Sequence, residues 1–250
     1  YINNLLDICL KNKITIVIPT LDTELIQLAK SKSLFNDKGI NIIISDLKLI
    51  EIFADKISTN DFFNSLKIKT PIIYNKDNMK FPVFLKPLKG SNSKGIYKAE
   101  NINEIKPSDL FSKNMMILEN IDNTLYDEYT IDLYYDKNSS LKCIVPRIRL
   151  KVVGGESNQG VTKKNEVLDY LKDRFSFLEG AIGCLTLQVF SNKLNPLDII
   201  GIEINPRFGG GYPFSLNAGA NFPEFIIREY ILNDQIEYFD KWKNNCLNIR

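Results

Sequence analysis

The sequence predicts an α/β protein whose later part breaks into α+β lobes, and three observations carry that prediction. Helix-like and strand-like hydrophobic patterns alternate through the opening segment, which is the signature of parallel pairing with crossover helices. From Val83 onward, short β-branched runs bounded by turn formers dominate. Finally, the apolar run Ile199-Ile-Gly-Ile-Glu-Ile-Asn205 acquires a carboxylate and an amide, then an arginine, before it dissolves into Gly209-Gly-Gly211.

Residues 1–12 place Ile2, Leu5, Leu6, Cys9 and Leu10 at helical spacing, and Ile14-Thr-Ile-Val-Ile-Pro19 reads as a buried strand. Thr20 to Glu24 caps a helix running to about Lys30, with Leu21, Leu25 and Leu28 inward, and a second strand spans Gly39 to Ser45. A helix feeding a strand at the outset suggests an α/β unit entered partway, with earlier strands absent. Asn60 to Leu66 reads as a helix turning Phe62, Phe63 and Leu66 inward, and Thr70 to Tyr74 as a short strand. Lys56, just before it, looks locally like a surface lysine.

A second lobe opens at Phe81-Pro-Val-Phe-Leu-Lys-Pro-Leu-Lys-Gly-Ser-Asn-Ser-Lys-Gly-Ile-Tyr97, where a strand carrying Lys86 meets the loop Gly90 to Gly95. Glycines and small hydroxyl residues let backbone N–H groups approach phosphate oxygens, with a lysine as point charge. A plain hairpin loop is the alternative. The lysine precedes the glycines, so this is not a P-loop, and no helix opens on them as a dinucleotide fingerprint requires. Met115 to Ile121 is an apolar strand ending at Glu119. Tyr126 to Tyr135 puts Glu128, Thr130 and Asp132 on one face and pairs antiparallel with Leu141 to Arg149 through the Asn138-Ser-Ser140 turn.

Gly154 to Gly160 reads as a polar loop, and Asn165 to Leu178 as an amphipathic helix with Val167, Leu168, Leu171 and Phe175 inward. Cys184 to Phe190 is a strand with one polar residue, Gln188, in an otherwise apolar core pattern. A hairpin through Asn192 to Pro196 returns the chain alongside, so Gln188 lies beside Glu203. Alternation puts Glu203, Asn205 and Arg207 on one face. Two oxygen ligands and a permanent cation suit a phosphate-bound divalent metal; a solvated strand face is the bland alternative. Pro213 and Pro223 fall at first helical turns, and Phe222 to Leu232 closes the fold as a helix.

Composition narrows the chemistry. Among 250 residues there is no histidine, which removes Ser-His and Cys-His pairs and His-ligated metal centres. A net charge of +2, with acids and bases evenly spread, argues against nucleic acid or membrane as partner. No apolar run approaches the ~20 residues of a membrane span. Cys9, Cys143, Cys184 and Cys246 are widely spaced, as expected of reduced thiols in a cytoplasmic protein.

In order, a D-K opening a helix, F-P-V-F-L-K-P with G-S-N-S-K-G, a strand ending in Glu, E-Y-T-I-D, a lone Gln, and E-I-N-P-R-F-G-G-G resemble the ATP-grasp superfamily over essentially the whole chain. Within it the chain looks like the carbamoyl-phosphate-synthase-like branch, which includes the pyrrolysine biosynthesis ligase. The resemblance implies an ATP-grasp fold preceded by part of a Rossmann-like domain. The implied division is 1–54 for that part, 55–80 connecting, 81–119 a small lid lobe and 120–250 the large lobe. It further implies that Lys56 and Lys86 contact ATP phosphates under a lid loop containing Gly90, Ser91, Asn92, Ser93 and Gly95. Glu119, Asn120 and Ile121 would bind adenine, and Glu128 the ribose. Gln188, Glu203 and Asn205 would hold Mg²⁺, or Mn²⁺, and Arg207 would steady the transferred phosphoryl group.

For an acyl substrate Arg147, Arg149 and the 154–160 loop are candidates, a surface basic strand being the alternative for the arginines. The implied activity is ATP-dependent ligation of a small carboxylate to an amine or thiol through an acyl phosphate, releasing ADP and phosphate. A phosphotransferase stopping at the acyl phosphate and a non-catalytic nucleotide-binding module are the alternatives. A homodimer stays open.

Overall fold

A computed structural model describes residues 1–88 and 95–250. Its elements form three sheets. The first segment comprises α1 (Ile2–Lys11), β1 (Ile16–Val17), α2 (Asp22–Lys30), α3 (Lys32–Asn36), β2 (Asn41–Ile42) and α4 (Leu47–Ala54). β1 and β2 pair in parallel, Ile16 opposite Asn41, as the α/β alternation requires. Both strands are shorter than their hydrophobic runs, although Ile43 and Ile44 are buried and the Ile43 N–H donates to Val17 O at 2.9 Å. Leu21 precedes α2 and is exposed; only Leu25 and Leu28 turn inward. The Glu24 carboxylate instead closes the helix start, accepting from the Thr20 and Leu21 N–H groups. The short α3 and the strongly apolar α4 start after Ser31 and Asp46, neither of which makes a side-chain cap hydrogen bond.

Next come α5 (Lys56–Ser65), β3 (Ile73–Tyr74), β4 (Val83–Pro87), β5 (Tyr97–Ala99), the single turn α6 (Pro107–Leu110) and β6 (Met115–Glu119). Asp55 caps α5 by accepting from the Ser58 N–H at 2.8 Å. The four strands form one antiparallel sheet in the order β3-β6-β4-β5.

The large sheet, β11-β10-β7-β8-β9-β12, is antiparallel throughout. It contains β7 (Tyr126–Tyr135), β8 (Leu141–Val153), β9 (Glu156–Thr162), β10 (Gly183–Asn192), β11 (Ile199–Asn205) and β12 (Leu247–Ile249), with α7 (Glu166–Arg174), α8 (Tyr212–Asn217) and α9 (Phe222–Tyr230). The expected polar loop at 154–160 is a correction: Gly154 and Gly155, both at positive φ, make a turn, and Glu156 onward is a strand paired with β8. α7 ends four residues early, yet Val167, Leu171 and Phe175 are fully buried as its spacing requires. Cys9, Cys143 and Cys184 are buried free thiols. Among the described residues no helix is long and apolar enough to cross a membrane.

What seats the large sheet against α5 is the absence of a side chain. Phe63, fully buried, lies over Gly201, where an added Cβ would come within 2.6 Å of its ring. The Gly201 N–H donates to Lys69 O at 2.7 Å, tying the chain after α5 to the edge of β11. Gly201→Ala must therefore push the ring or the strand aside, at a cost of about 1–3 kcal/mol; urea denaturation should show the midpoint falling with an unchanged slope.

Candidate functional site

β10 and β11 bring Gln188 directly opposite Glu203, and Gln188 lies opposite Thr130 on its other side; the register of the hairpin, Phe190 opposite Ile200 and Val189 opposite Gly201, would by itself set Gln188 against Ile202. A bulge between Gln188 and Val189 shifts the register by one residue and so makes this pair. Asn205, two residues along the same face, donates its Nδ2 to Glu203 Oε1 at 3.0 Å. From the other sheet, β4 projects Lys86, whose Nζ donates to Glu203 Oε2 at 3.3 Å, with side chains 14% and 33% exposed respectively. One carboxylate thus joins the small sheet to the large one.

Lys56, at the start of α5, completes the cluster. It is half-buried rather than a surface lysine, and its Nζ donates to Leu88 O at 2.8 Å. Burial, then the neighbouring Lys86 charge, pulls the Lys56 pKa below the ordinary lysine value. For Glu203 burial pushes upward, but the Lys86 charge, hydrogen bonds from Asn205 and Lys86, and the Lys56 charge outweigh it, so its carboxyl sits below the usual range. Two cations held together beside a single ionised carboxylate make a site short of negative charge. Glu203 and the amides of Asn205 and Gln188 are hard oxygen donors on one face, a set that fits a divalent cation sharing its coordination with an anionic ligand. Among the described residues no group of three or more acidic, Cys or His side chains forms an all-protein cage.

Arg207 departs from the expected row. β11 ends at Asn205, and the Arg207 N–H turns back to Asn205 O at 2.8 Å, so strand alternation stops short of it. Its guanidinium forks onto Asp22 of α2, Nε to Oδ1 at 2.6 Å and Nη2 to Oδ2 at 2.5 Å. Nothing in the sequence singles out Asp22, one acid among several in a helix start.

Arg147 and Arg149 do not form a surface basic strand. Arg149 pairs with Glu128, donates to Ser157 Oγ at 3.0 Å and reaches Gly155 O at 2.6 Å. Arg147 is 1% exposed and donates to Asp132 Oδ2 at 2.7 Å; Ser215 Oγ donates to the same oxygen at 2.6 Å. The Thr186 hydroxyl donates to Arg207 O at 3.0 Å and lies 3.4 Å from Asp132 Oδ1. This buried network fixes the turn after β11 from beneath, and it explains a glycine: a Cβ at Gly211 would meet Arg147 Nη1 at 2.7 Å. Asp132 stood out in sequence only as a polar residue in a strand pattern, while Thr186 and Ser215 gave no signal.

The remaining candidates divide. The Glu119 carboxylate accepts from the Ile72 N–H at 3.2 Å, and its own N–H donates to Ile72 O at 2.8 Å, leaving Asn120 and Ile121 to follow the strand end. Gly95 occupies a turn at φ +74° before β5. Gly90, Ser91, Asn92 and Ser93 lie outside the described residues.

Residues 111–246 match the family described as ATP-grasp in the biosynthetic pathway with Ter operon, more than half of the chain. The chain belongs to this ATP-grasp family. Residues 1–43 match the N-terminal domain of PylC-like proteins. A carbamoyl-phosphate synthase from Methanobrevibacter smithii is 32% identical to this ATP-grasp protein over 110 residues, 40% of the chain and 30% of the relative. Among solved structures, the biotin carboxylase domain dimer of Hydrogenobacter thermophilus 2-oxoglutarate carboxylase, in complex with MgADP, ADP and bicarbonate, superposes with a TM-score of 0.70 at 16% identity. The match covers 98% of the ATP-grasp chain and 60% of that one. An L-amino acid ligase from Bacillus licheniformis gives 0.66 at 15% identity, over 90% and 58%. These likenesses establish the ATP-grasp fold. The ATP-grasp chain spans under two thirds of each relative's length.

Two outcomes follow. Because the folded Glu203 carboxyl has the lower pKa, its contribution to stability is present above the ordinary Glu value of ~4.3 and is lost as pH falls through the folded value. The stability difference between the native chain and Glu203→Gln, followed by denaturation across pH 7 to 3, should therefore shrink toward the acid end. Arg147→Met strands Asp132 without its partner and should cost about 3–5 kcal/mol, whereas Arg147→Met with Asp132→Leu should recover part of it; thermal unfolding of the single and double variants decides.

Proposed function

We propose that this chain carries the nucleotide and metal site of an ATP- and Mg²⁺-dependent ligase that joins a small carboxylate to an amine or thiol. The observation that supports it best is the Lys86–Glu203–Asn205 cluster with Lys56 beside it, a cation from the small sheet and another from α5 meeting oxygen ligands on the large sheet. Lys56 and Lys86 would take the ATP phosphates, with Gly90 to Gly95 covering them. Glu119, Asn120 and Ile121 would line the adenine, and Glu128 the ribose, releasing Arg149 toward the acyl substrate. Gln188, Glu203 and Asn205 would hold Mg²⁺, which supplies charge neutralisation on the phosphates when bound. In this reading residues 1–54, 55–80, 81–119 and 120–250 serve as Rossmann-like unit, connector, lid lobe and large lobe.

The substrate carboxylate attacks the γ-phosphorus, its oxygen forming the new bond as the bond to the bridging oxygen of ADP breaks. Lys86 and Arg207 spread the charge that develops on the phosphoryl oxygens. The nucleophile then attacks the acyl carbon, loses its proton and expels phosphate. No side-chain nucleophile is needed, which suits a chain without histidine. Nucleotide binding without turnover is a second reading, favoured by the Asp22 carboxylate that fills the Arg207 fork.

A screen of small carboxylates and amines for ADP release, with hydroxylamine present to trap an acyl phosphate, tests the reaction. Glu203→Gln should lower ADP release at least ~100-fold while circular dichroism stays native. Undiminished release would sink the metal role of Glu203. Calorimetric Mg-ADP binding with no turnover across the screen would leave the binding module.

A further inference from the structure

On the reverse face of the large sheet, away from the Glu203 cluster, lies a cavity of about 410 Å³. That volume is in the range of ~300–1,000 Å³ typical of small-molecule sites. Alternation along β7 places it there: Asp127 and Tyr129 line it, while Glu128 between them faces the opposite side with Arg149. None of Lys56, Lys86, Gln188 or Glu203 contributes to its wall.

The wall carries three lysines, 163, 164 and 193, against the single carboxylate of Asp127. Their partners are mostly uncharged. Lys163 Nζ donates to Asn245 Oδ1 at 2.9 Å. Lys193 Nζ donates to Asn123 O and Thr124 O at 2.8 and 3.1 Å, and stands 3.7 Å from Asp127. Lys164 Nζ donates to Asp240 O and lies 4.8 Å from the Trp242 ring centroid. Asn165, also in the wall, donates its Nδ2 to Tyr129 Oη at 3.0 Å and leaves a buried Oδ1 without a partner among the described residues. Three lysines against one carboxylate leave the wall of this concave, amide-lined space with an excess of positive charge; Lys163 rests on an amide that itself lines the space, and Lys164 and Lys193 rest on neutral carbonyls just outside it, bonds that an anion can replace. A net charge of only +2 and the limited volume favour a small ligand over nucleic acid.

We propose that this cavity binds a small, multiply charged anion bearing carboxylate or phosphate groups, at a site separate from the nucleotide. It is independent of the ligase reading. Calorimetry on the full 250-residue chain in Mg-free buffer, with citrate and pyrophosphate as probes, should give one saturable site for at least one of them. Lys163→Ala with Lys193→Ala should weaken it at least tenfold and leave Mg-ADP binding unchanged, while Lys86→Ala should spare it. On the unsubstituted chain, the bound anion should protect Lys163 and Lys193 from amine acylation, read by mass spectrometry. No saturable binding, loss that follows Lys86→Ala instead, or absence of protection at both lysines would each overturn the proposal.

Discussion

The ion pair between Lys86 and Glu203 is the contact on which the site depends. It is made across two sheets, so it exists only when β4 and β11 are brought together, and it leaves Glu203 ionised despite burial. An isolated pair of this kind contributes little net stability, because taking two charges out of water offsets most of their attraction. Its value is electrostatic placement. With Lys56 nearby, the carboxylate is outnumbered by cations, and an anionic ligand entering the cleft finds a field already arranged for it.

A second polar core performs a different task. Asp132 collects Arg147 and Ser215 on one oxygen and faces Thr186 with the other, all within the sheet interior. Through Thr186 it reaches the main chain of Arg207, and through Arg147 it occupies the space that only glycine leaves at position 211. The glycine turn after β11 is therefore shaped by packing from below. A loop made of glycines would otherwise have too much freedom to hold a guanidinium in place.

Local physics made the hairpins and their partners legible. The β10–β11 turn brings Gln188 alongside Glu203, although the exact pairing needs a bulge that the sequence does not mark, and strict alternation predicts the faces of β7 and the helical period the buried side of α7. Prolines at helix starts were equally readable, at α8 and α9. What stayed hidden was long-range. The lengths of β1 and β2 are set by neighbours, Gly154 to Gly160 divides into turn and strand only because β8 extends to receive it, and α4 is apolar enough to resemble a strand. At the site, Lys86, Glu203 and Asn205 could be found from their own segments, since each is polar within an apolar run. Arg207 could be found too, but its partner could not: Asp22 lies 185 residues away and carries no local mark.

That fork also bears on how such proteins can be assembled from parts. Asp22 falls in the segment that matches one family model and Arg207 in the segment that matches another. The guanidinium and its counter-charge therefore lie in segments described by two different family models. Recombining either module with a foreign counterpart is constrained at this point: a replacement first segment without an acid here would leave an unneutralised cation beside the glycine turn. Compatibility between modules is in this sense written in one pair of side chains as well as in the apolar surfaces that join them.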